Sequence, residues 1–391
     1  MKEPCKKCLP LENQIVKTDE AQCLSCYLPH KIIKLLSTDE CCVFEHKIKY
    51  MKGFIVYLGI AWSAIENINN VFHFNKDYSR FCLAIGDYAM ALVSAGFVKL
   101  GRIFYKKGLS IIEKQELNST TLNIFNSRYA YNFLLLDEPY KSIKLLENAT
   151  AHFRKSGELW ELMSATGALA QNYFLVGDYE KSRFFYEEAK NIAEKLHSTL
   201  HIGWALNKVP FIDYLTGKCS AQEAEEKLKE GINLSESVHD HMTLCIHYGH
   251  LANIFTKEKD FEKSLFYAKQ IMHENKVYKI NIPHVKISYV DVVETIFAAF
   301  IANKISSSEK NKYEKMAKNA LSKLQKLSKK NTMLKGLTLR AAAEFALLKN
   351  NKPEMEKYLI ESINLLKDSP YKEEYKTSQK LTKLYNIKVK I

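Results

Sequence analysis

One interval decides what this chain can fold into. A small residue suited to the crossing of two helices falls at Ser142, Ser182, Ala224 and Ser264, at spacings of 40, 42 and 40 residues. The clearest copy runs from Ala168 to Ala189. There Gly177-Asp178 interrupts a helical apolar pattern and Tyr179 opens a second one, so the stretch reads as two helices joined by a turn. Ala170 and Ser182 allow the two helices to approach closely, while Tyr173, Tyr186 and Ala189 supply an apolar ridge. Asp178-Tyr-Glu-Lys-Ser182 recurs as Asp260-Phe-Glu-Lys-Ser264, and Ala170 with Tyr173 recurs as Ala252 with Phe255. Looser copies place Ala130 and Phe133 before a turn at Asp137-Glu-Pro139, and Gly217 in a turn between Trp204 and Leu228. One hairpin cannot bury its own face, so such copies must stack. The expected fold class is all-α: stacked helical hairpins with a period near 40.

Composition agrees with this reading. Of 391 residues, 47% are apolar and only 8 are proline, which suits a packed helical array better than a disordered chain or a sheet. No window approaches 18 uninterrupted apolar residues, so no membrane insertion is expected. Met1-Lys-Glu-Pro-Cys-Lys-Lys lacks the apolar centre of a secretion signal, which makes the cytoplasm the expected compartment.

The net charge of +13 is concentrated at one end. Residues 301–350 hold 12 Lys and Arg against 3 Glu, and residues 351–391 hold 9 Lys against 6 acids. A basic end attracts nucleic acid, acidic protein or anionic lipid, or is simply a solvated lysine face. It is built from lysine, including Lys323, Lys326 and Lys330. Arg340 is its one arginine, although arginine is the residue that base and phosphate recognition favours.

Residues 1–45 differ from the rest. Six of the nine cysteines fall there, and Cys5, Cys8, Cys23 and Cys26 form two Cys-x-x-Cys pairs. Two such pairs can each grip a tetrahedral ion, so a structural zinc knuckle fits the pattern. A helix that buries Cys23 and Cys26 beside a loose tail fits it as well. Residues 46–391 form the expected repeat domain. Within it, Gly86-Asp87-Tyr88 repeats the turn signal, with helix continuing from Ser94 to Ile112. A break falls at 281–284, a lysine-rich helix at 310–330, a last hairpin around 350–353, and a capping helix with a polar outer face at 372–385.

Small-x-x-aromatic, Gly-Asp-Tyr, a small residue, an aromatic and then alanine together resemble the tetratricopeptide repeat. The longer period, and the upstream segment at 86–91, are similar to the C-terminal helical regions of STAND-type signalling ATPases. That resemblance implies a right-handed superhelix serving as a sensor or scaffold surface rather than a catalytic centre. No nucleotide module accompanies it: Thr216-Gly217-Lys218-Cys219-Ser220 ends like a phosphate loop, but the glycine required upstream is Ile212. His239, His241, Cys245, His247 and His250 are dense in ligand types but point two ways on a helix, as histidines packed between helices would. No nucleophile elbow is present, and Glu158, Glu161, Glu187 and Glu188 read as solvated carboxylates.

The expected function is therefore non-enzymatic: a module of a signalling or defence assembly that binds a protein or peptide in its concave groove. The first helix of each hairpin lines that groove, and the residue after the small one is Tyr131, Gln171 or Asn253, each able to contact a peptide. The alternative is a nucleic-acid-binding adaptor using the cysteine segment and the basic end.

Overall fold

A computed structural model describes residues 78–94, 97–135, 138–278, 285–328 and 331–387. The cysteine pairs and the break at 281–284 lie outside the described residues, as does Lys330. The described chain is helical and divides into two compact units.

The first unit contributes one described hairpin, α1 (Tyr78–Ser94) and α2 (Val98–Lys114). Its turn is not where the sequence placed it. Gly86-Asp87-Tyr88 lies inside α1, and the chain reverses between Ser94 and Val98. The turn signal at Gly86 is outweighed by an apolar stripe that runs straight through it: Cys82, Ile85, Ala89 and Val93 are all buried. A glycine within a helix costs only about 1 kcal/mol relative to alanine, less than burying that stripe returns. Gly101 of α2 serves the crossing itself, since a Cβ there would sit 2.5 Å from Val93 Cγ2 and 2.9 Å from the Ala89 carbonyl.

The second unit is the repeat array. It runs through α3 (Ser119–Leu135), α4 (Pro139–Ser156), α5 (Leu159–Val176), α6 (Tyr179–Lys195), α7 (Thr199–Leu215), α8 (Ala221–Ser237), α9 (His241–Lys257) and α10 (Phe261–Tyr278). It continues with α11 (Ser288–Ile301), α12 (Lys310–Leu327), α13 (Thr332–Leu348), α14 (Lys352–Leu366) and α15 (Lys372–Leu384). Odd-numbered helices from α3 to α13 open the hairpins: α3 packs on α5, α7 on α9, α9 on α11 and α11 on α13, while Phe174 of α5 meets Phe211 of α7, which makes these helices the inner wall of the stack.

The repeated residues have identifiable tasks. Asp178 and Asp260 cap α6 and α10, accepting from the amides of Lys181 and Lys263. Gly177 ends α5 at φ +83°, a left-handed conformation that glycine adopts without strain. Ser142 and Ser182 are fully buried, and each hydroxyl donates across the crossing to the carbonyl of the small residue twelve positions earlier. Ser142 Oγ reaches Ala130 O at 2.7 Å and Ser182 Oγ reaches Ala170 O at 2.9 Å. In the third clear copy Thr256 takes the Ala252 carbonyl, and Ser264 donates within its own helix instead. Successive repeats are tied to one another by the ion pairs Arg154–Glu188, Arg183–Asp213 and Lys263–Glu225.

The last helix does more than cap the stack. Ser378 of α15 meets Ser362 of α14 in a buried hydroxyl pair, as a cap would. Its first turn, however, reaches back to the α5–α6 hairpin. A Cβ at Gly177 would lie 2.9 Å from Glu373 Cγ, and Glu374 pairs with Arg340 of α13. The start of α15 thus bridges α13 and the α5–α6 turn across the interior of the stack.

Candidate functional site

Between those contacts the inner wall carries a row of polar side chains on α5, α7, α9, α11 and α13. Gln171 stands on α5, where its Oε1 accepts from Tyr186 Oη at 2.7 Å, leaving its amide nitrogen as a donor. Asn253 stands on α9, with Nδ2 3.3 Å from Asp291 Oδ1 of α11 and a buried Oδ1 that has no partner. Tyr131 lies on α3, and its side chain is outside the described residues. Of the three residues expected from the sequence register, Gln171 and Asn253 therefore occupy the same wall on different repeats.

Sequence reasoning missed the charged members of the row. Lys208 on α7 is only 9% exposed, and its Nζ lies 4.2 Å from the centre of the Phe174 ring of α5. Desolvation pushes its pKa down to about 8, opposed by the field of Asp291. Asn207 beside it takes part in a 3.0 Å hydrogen bond with His250 Nε2 of α9, and the His250 ring stacks on Phe211 with centroids 4.0 Å apart. His250 and His247 pack between helices, and burial lowers both, His247 to about 3. Asp291 lies against Gly249, where a Cβ would fall 2.9 Å from its Oδ2. Desolvation, then Glu294, raises its carboxyl well above the usual range.

Farther along the wall, Arg340 of α13 is buried and holds two carboxylates. Nε lies 2.8 Å from Glu294 Oε1 and Nη1 lies 2.6 Å from Glu374 Oε2. Glu344, one turn on, is also buried, with one carboxylate oxygen unpartnered, and desolvation raises its carboxyl well above normal. The single arginine of the basic end is thus internal. Lys323 also turns inward in part, since it donates to Tyr289 Oη at 3.0 Å. Lys326 remains exposed.

His197 and His201 flank the α6–α7 loop, with His197 at φ +52° and His201 in the first turn of α7. Ser220, at the end of the stretch that resembles a phosphate loop, is the N-cap of α8 in a capping box with Glu223. Two shallow recesses, one near 370 Å³ beside Tyr140 and Pro370 and one near 480 Å³ beside Glu225 and Phe255, lie away from the polar row. Among the described residues no cluster of metal-ligating side chains is present, and no helix is long and apolar enough to cross a membrane.

These features define the fold as a tetratricopeptide-like helical-repeat superhelix. Solved structures agree. The chain is similar to a Rap protein complexed with competence and sporulation factor, at 12% identity and a TM-score of 0.58, over 86% of this chain and 97% of that one. It is similar to the apo form of RapI at 13% identity and 0.54, over 74% and 99%. It is also similar to aspartyl phosphate phosphatase F from Bacillus subtilis at 14% identity and 0.52, over 74% and 72%. Likeness at this identity defines the fold alone. No family model matches the sequence, and neither does any of the curated proteins compared with it.

Proposed function

We propose that this chain is a non-enzymatic binding module that takes a peptide, or an extended segment of a protein, on the inner wall of its repeat array. The observation that carries the reading is Asn253: a buried amide oxygen without a partner, set on that wall in line with Gln171. A buried acceptor left unsatisfied costs about 1–3 kcal/mol, which a peptide N–H would recover once the side chain turns this oxygen, now closed to solvent, towards the groove. Extended peptides are held by such side chains through their backbone groups. The likeness to a Rap protein complexed with competence and sporulation factor supports the same direction. A place in a signalling or defence assembly is part of the same proposal.

Capture from native lysate, with nuclease controls, tests the reading. Changing Gln171 and Asn253 to Ala, with Tyr131 as the third member of the register, is expected to release the captured protein or peptide. Charge reversal at Lys326 and Lys330 is expected to leave it bound at about 200 mM salt, where contacts between exposed charges are screened. Capture that the lysine variant abolishes and the groove variant keeps, with release by nuclease, would install the nucleic-acid reading instead.

A separate proposal concerns the N-terminal segment: Cys5, Cys8, Cys23 and Cys26 hold a structural zinc. Protein made under reducing, zinc-replete conditions is then expected to carry close to one zinc per chain, and the four-serine variant none. Metal analysis without zinc in the unaltered protein ends that idea.

A further inference from the structure

The second helices of the hairpins differ sharply in the charge they show to solvent. Counted from its N-cap, such a helix presents its third, sixth and ninth positions along one outer stripe. On α12, after Glu309, these are Lys312, Lys315 and Lys318, and Lys326 continues the stripe two turns on. On α10, after Asp260, they are Lys263, Phe266 and Lys269, with Lys276 two turns beyond. On α8 the same positions hold Glu223, Glu226 and Lys229, and on α14 they hold Glu354, Lys357 and Ile360. The one-signed face is therefore confined to α10 and α12. These two helices are neighbours, since Lys269 Nζ stands 5.3 Å from the centre of the Tyr313 ring of α12.

The protein does little to neutralise this face. Glu314 of α12 pairs with Lys349, and Glu274 of α10 is hydrogen-bonded to His241. Glu262 and Glu309 stand only at the N-terminal ends of the two helices. Lys263 is taken by Glu225. Lys269, Lys276, Lys312, Lys315, Lys318 and Lys326 are all exposed, and among the described residues none has an ion pair. A face kept only for solubility interleaves both signs, as α8 and α14 do. Six ammonium groups gathered without acids repel one another, and an anionic surface relieves that repulsion.

Three features select the kind of anion. First, neither helix carries an arginine, the residue whose planar fork suits nucleic-acid phosphates and bases. Second, the charge lies on second helices, the outer side of a stacked array. A convex side meets a flat surface along a few adjacent helices, whereas a nucleic-acid strand is tracked by a groove. Third, Phe266 stands 52% exposed among the lysines, and an aromatic ring beside cations suits the boundary between lipid headgroups and acyl chains.

We propose that the outer face of α10 and α12 docks this chain on an anionic lipid surface. The lysines meet the negative headgroups and Phe266 seats among them. Docking of this kind needs no membrane span. It is independent of the peptide-binding reading, because the lysines lie on second helices while Gln171 and Asn253 lie on first ones.

Flotation of the full chain with vesicles of phosphatidylcholine, alone or with about 30% phosphatidylserine, tests the proposal. Partitioning is expected to be at least about tenfold stronger on the anionic vesicles, and to fall steeply between about 50 and 300 mM salt. Each lysine near an anionic leaflet contributes roughly fivefold, so reversing Lys312, Lys315 and Lys318 to Glu is expected to lower partitioning about a hundredfold or more. The same charge change made at Lys144, Lys155 and Lys227 is expected to keep most of it. Phe266→Ser, which alters no charge, is expected to lower it about fivefold. Circular dichroism and Tm confirm that each variant folds, and a milder triple change of Lys312, Lys315 and Lys318 to Gln serves if the reversal does not. Equal partitioning on both kinds of vesicle, or equal losses in the two triple variants, overturns the proposal. Unchanged partitioning of Phe266→Ser overturns it as well, because charge alone then accounts for the binding. A fluorescent DNA duplex held at about 150 mM salt, under conditions where vesicles are not, overturns it in favour of nucleic acid.

Discussion

Replacing Arg340 by Met is expected to cost about 3–5 kcal/mol of unfolding free energy at pH 7, the range for removing one partner of a buried ionic cluster. The side chain is 6% exposed, and it is what makes three carboxylates tolerable: Glu294 and Glu374 bond it directly, and Glu344 feels its charge. Methionine fills most of the volume, so the loss is electrostatic rather than a cavity. The variant leaves Glu294, Glu344 and Glu374 facing one another without a cation. Protons bind such carboxylates more readily in the folded state than in the unfolded one, so the deficit should narrow as pH falls from 7 towards 5. Urea midpoints at several pH values, at constant m, measure this. Adding Glu294→Met to the variant is expected to recover part of the loss, because the two changes share one network. Hydrogen exchange should also rise across α15, whose first turn loses its tie to α13. A loss below about 1 kcal/mol would mean that solvent already screens the cluster.

The array between residues 118 and 278 was legible because its packing depends on few residues at fixed intervals. A hairpin crossing needs a small residue on each side, a cap and a left-handed stop. Ala170, Ser182, Asp178 and Gly177 each supply one of these in a residue type that betrays the task. The first hairpin misled because Gly-Asp-Tyr is a local signal. At 86–88 it lies within a stripe of buried apolar residues that α2 covers, and packing against a neighbour overrides local preference.

The charged part of the inner wall was illegible for a different reason. A lysine in mid-helix, as at 208, reads as solvent-facing, and an isolated arginine in a lysine-rich stretch reads as part of a basic surface. What makes them internal is the curvature of the stack and the return of α15, which brings Glu373 to Gly177 across nearly two hundred residues of sequence. No interval in the sequence encodes that closure. The partner choices did leave a trace: Gly249, where a Cβ would crowd the Asp291 carboxylate, is the kind of small residue that marks a close approach.

His247→Leu is expected to change how stability depends on pH. The imidazole is fully buried against Gly231, where a Cβ would fall 2.3 Å from its Cε1. Neither ring nitrogen has a well-formed hydrogen bond, and the Gly203 backbone opposes the shift only weakly. Desolvation first, then the charge of Lys208, holds its pKa at about 3 in the folded state, against about 6.5 for a free histidine. A group depressed in this way contributes stability that is fully present above pH 6.5. That stability is lost as pH falls, because the unfolded chain takes up the proton first. Between pH 6.5 and 3 this one side chain should lower unfolding free energy by up to about 1.4 kcal/mol per pH unit. His250 acts in the same sense, whereas the raised carboxyls of Asp291 and Glu344 act against it. The profile of the unaltered protein therefore mixes opposing slopes, and the difference between it and His247→Leu isolates one. That difference should widen in favour of the histidine as pH rises from 4 to 6.5 and stay flat from 7 to 8. Urea midpoints at each pH decide it: parallel profiles would mean that the imidazole reaches water or a partner in the folded state.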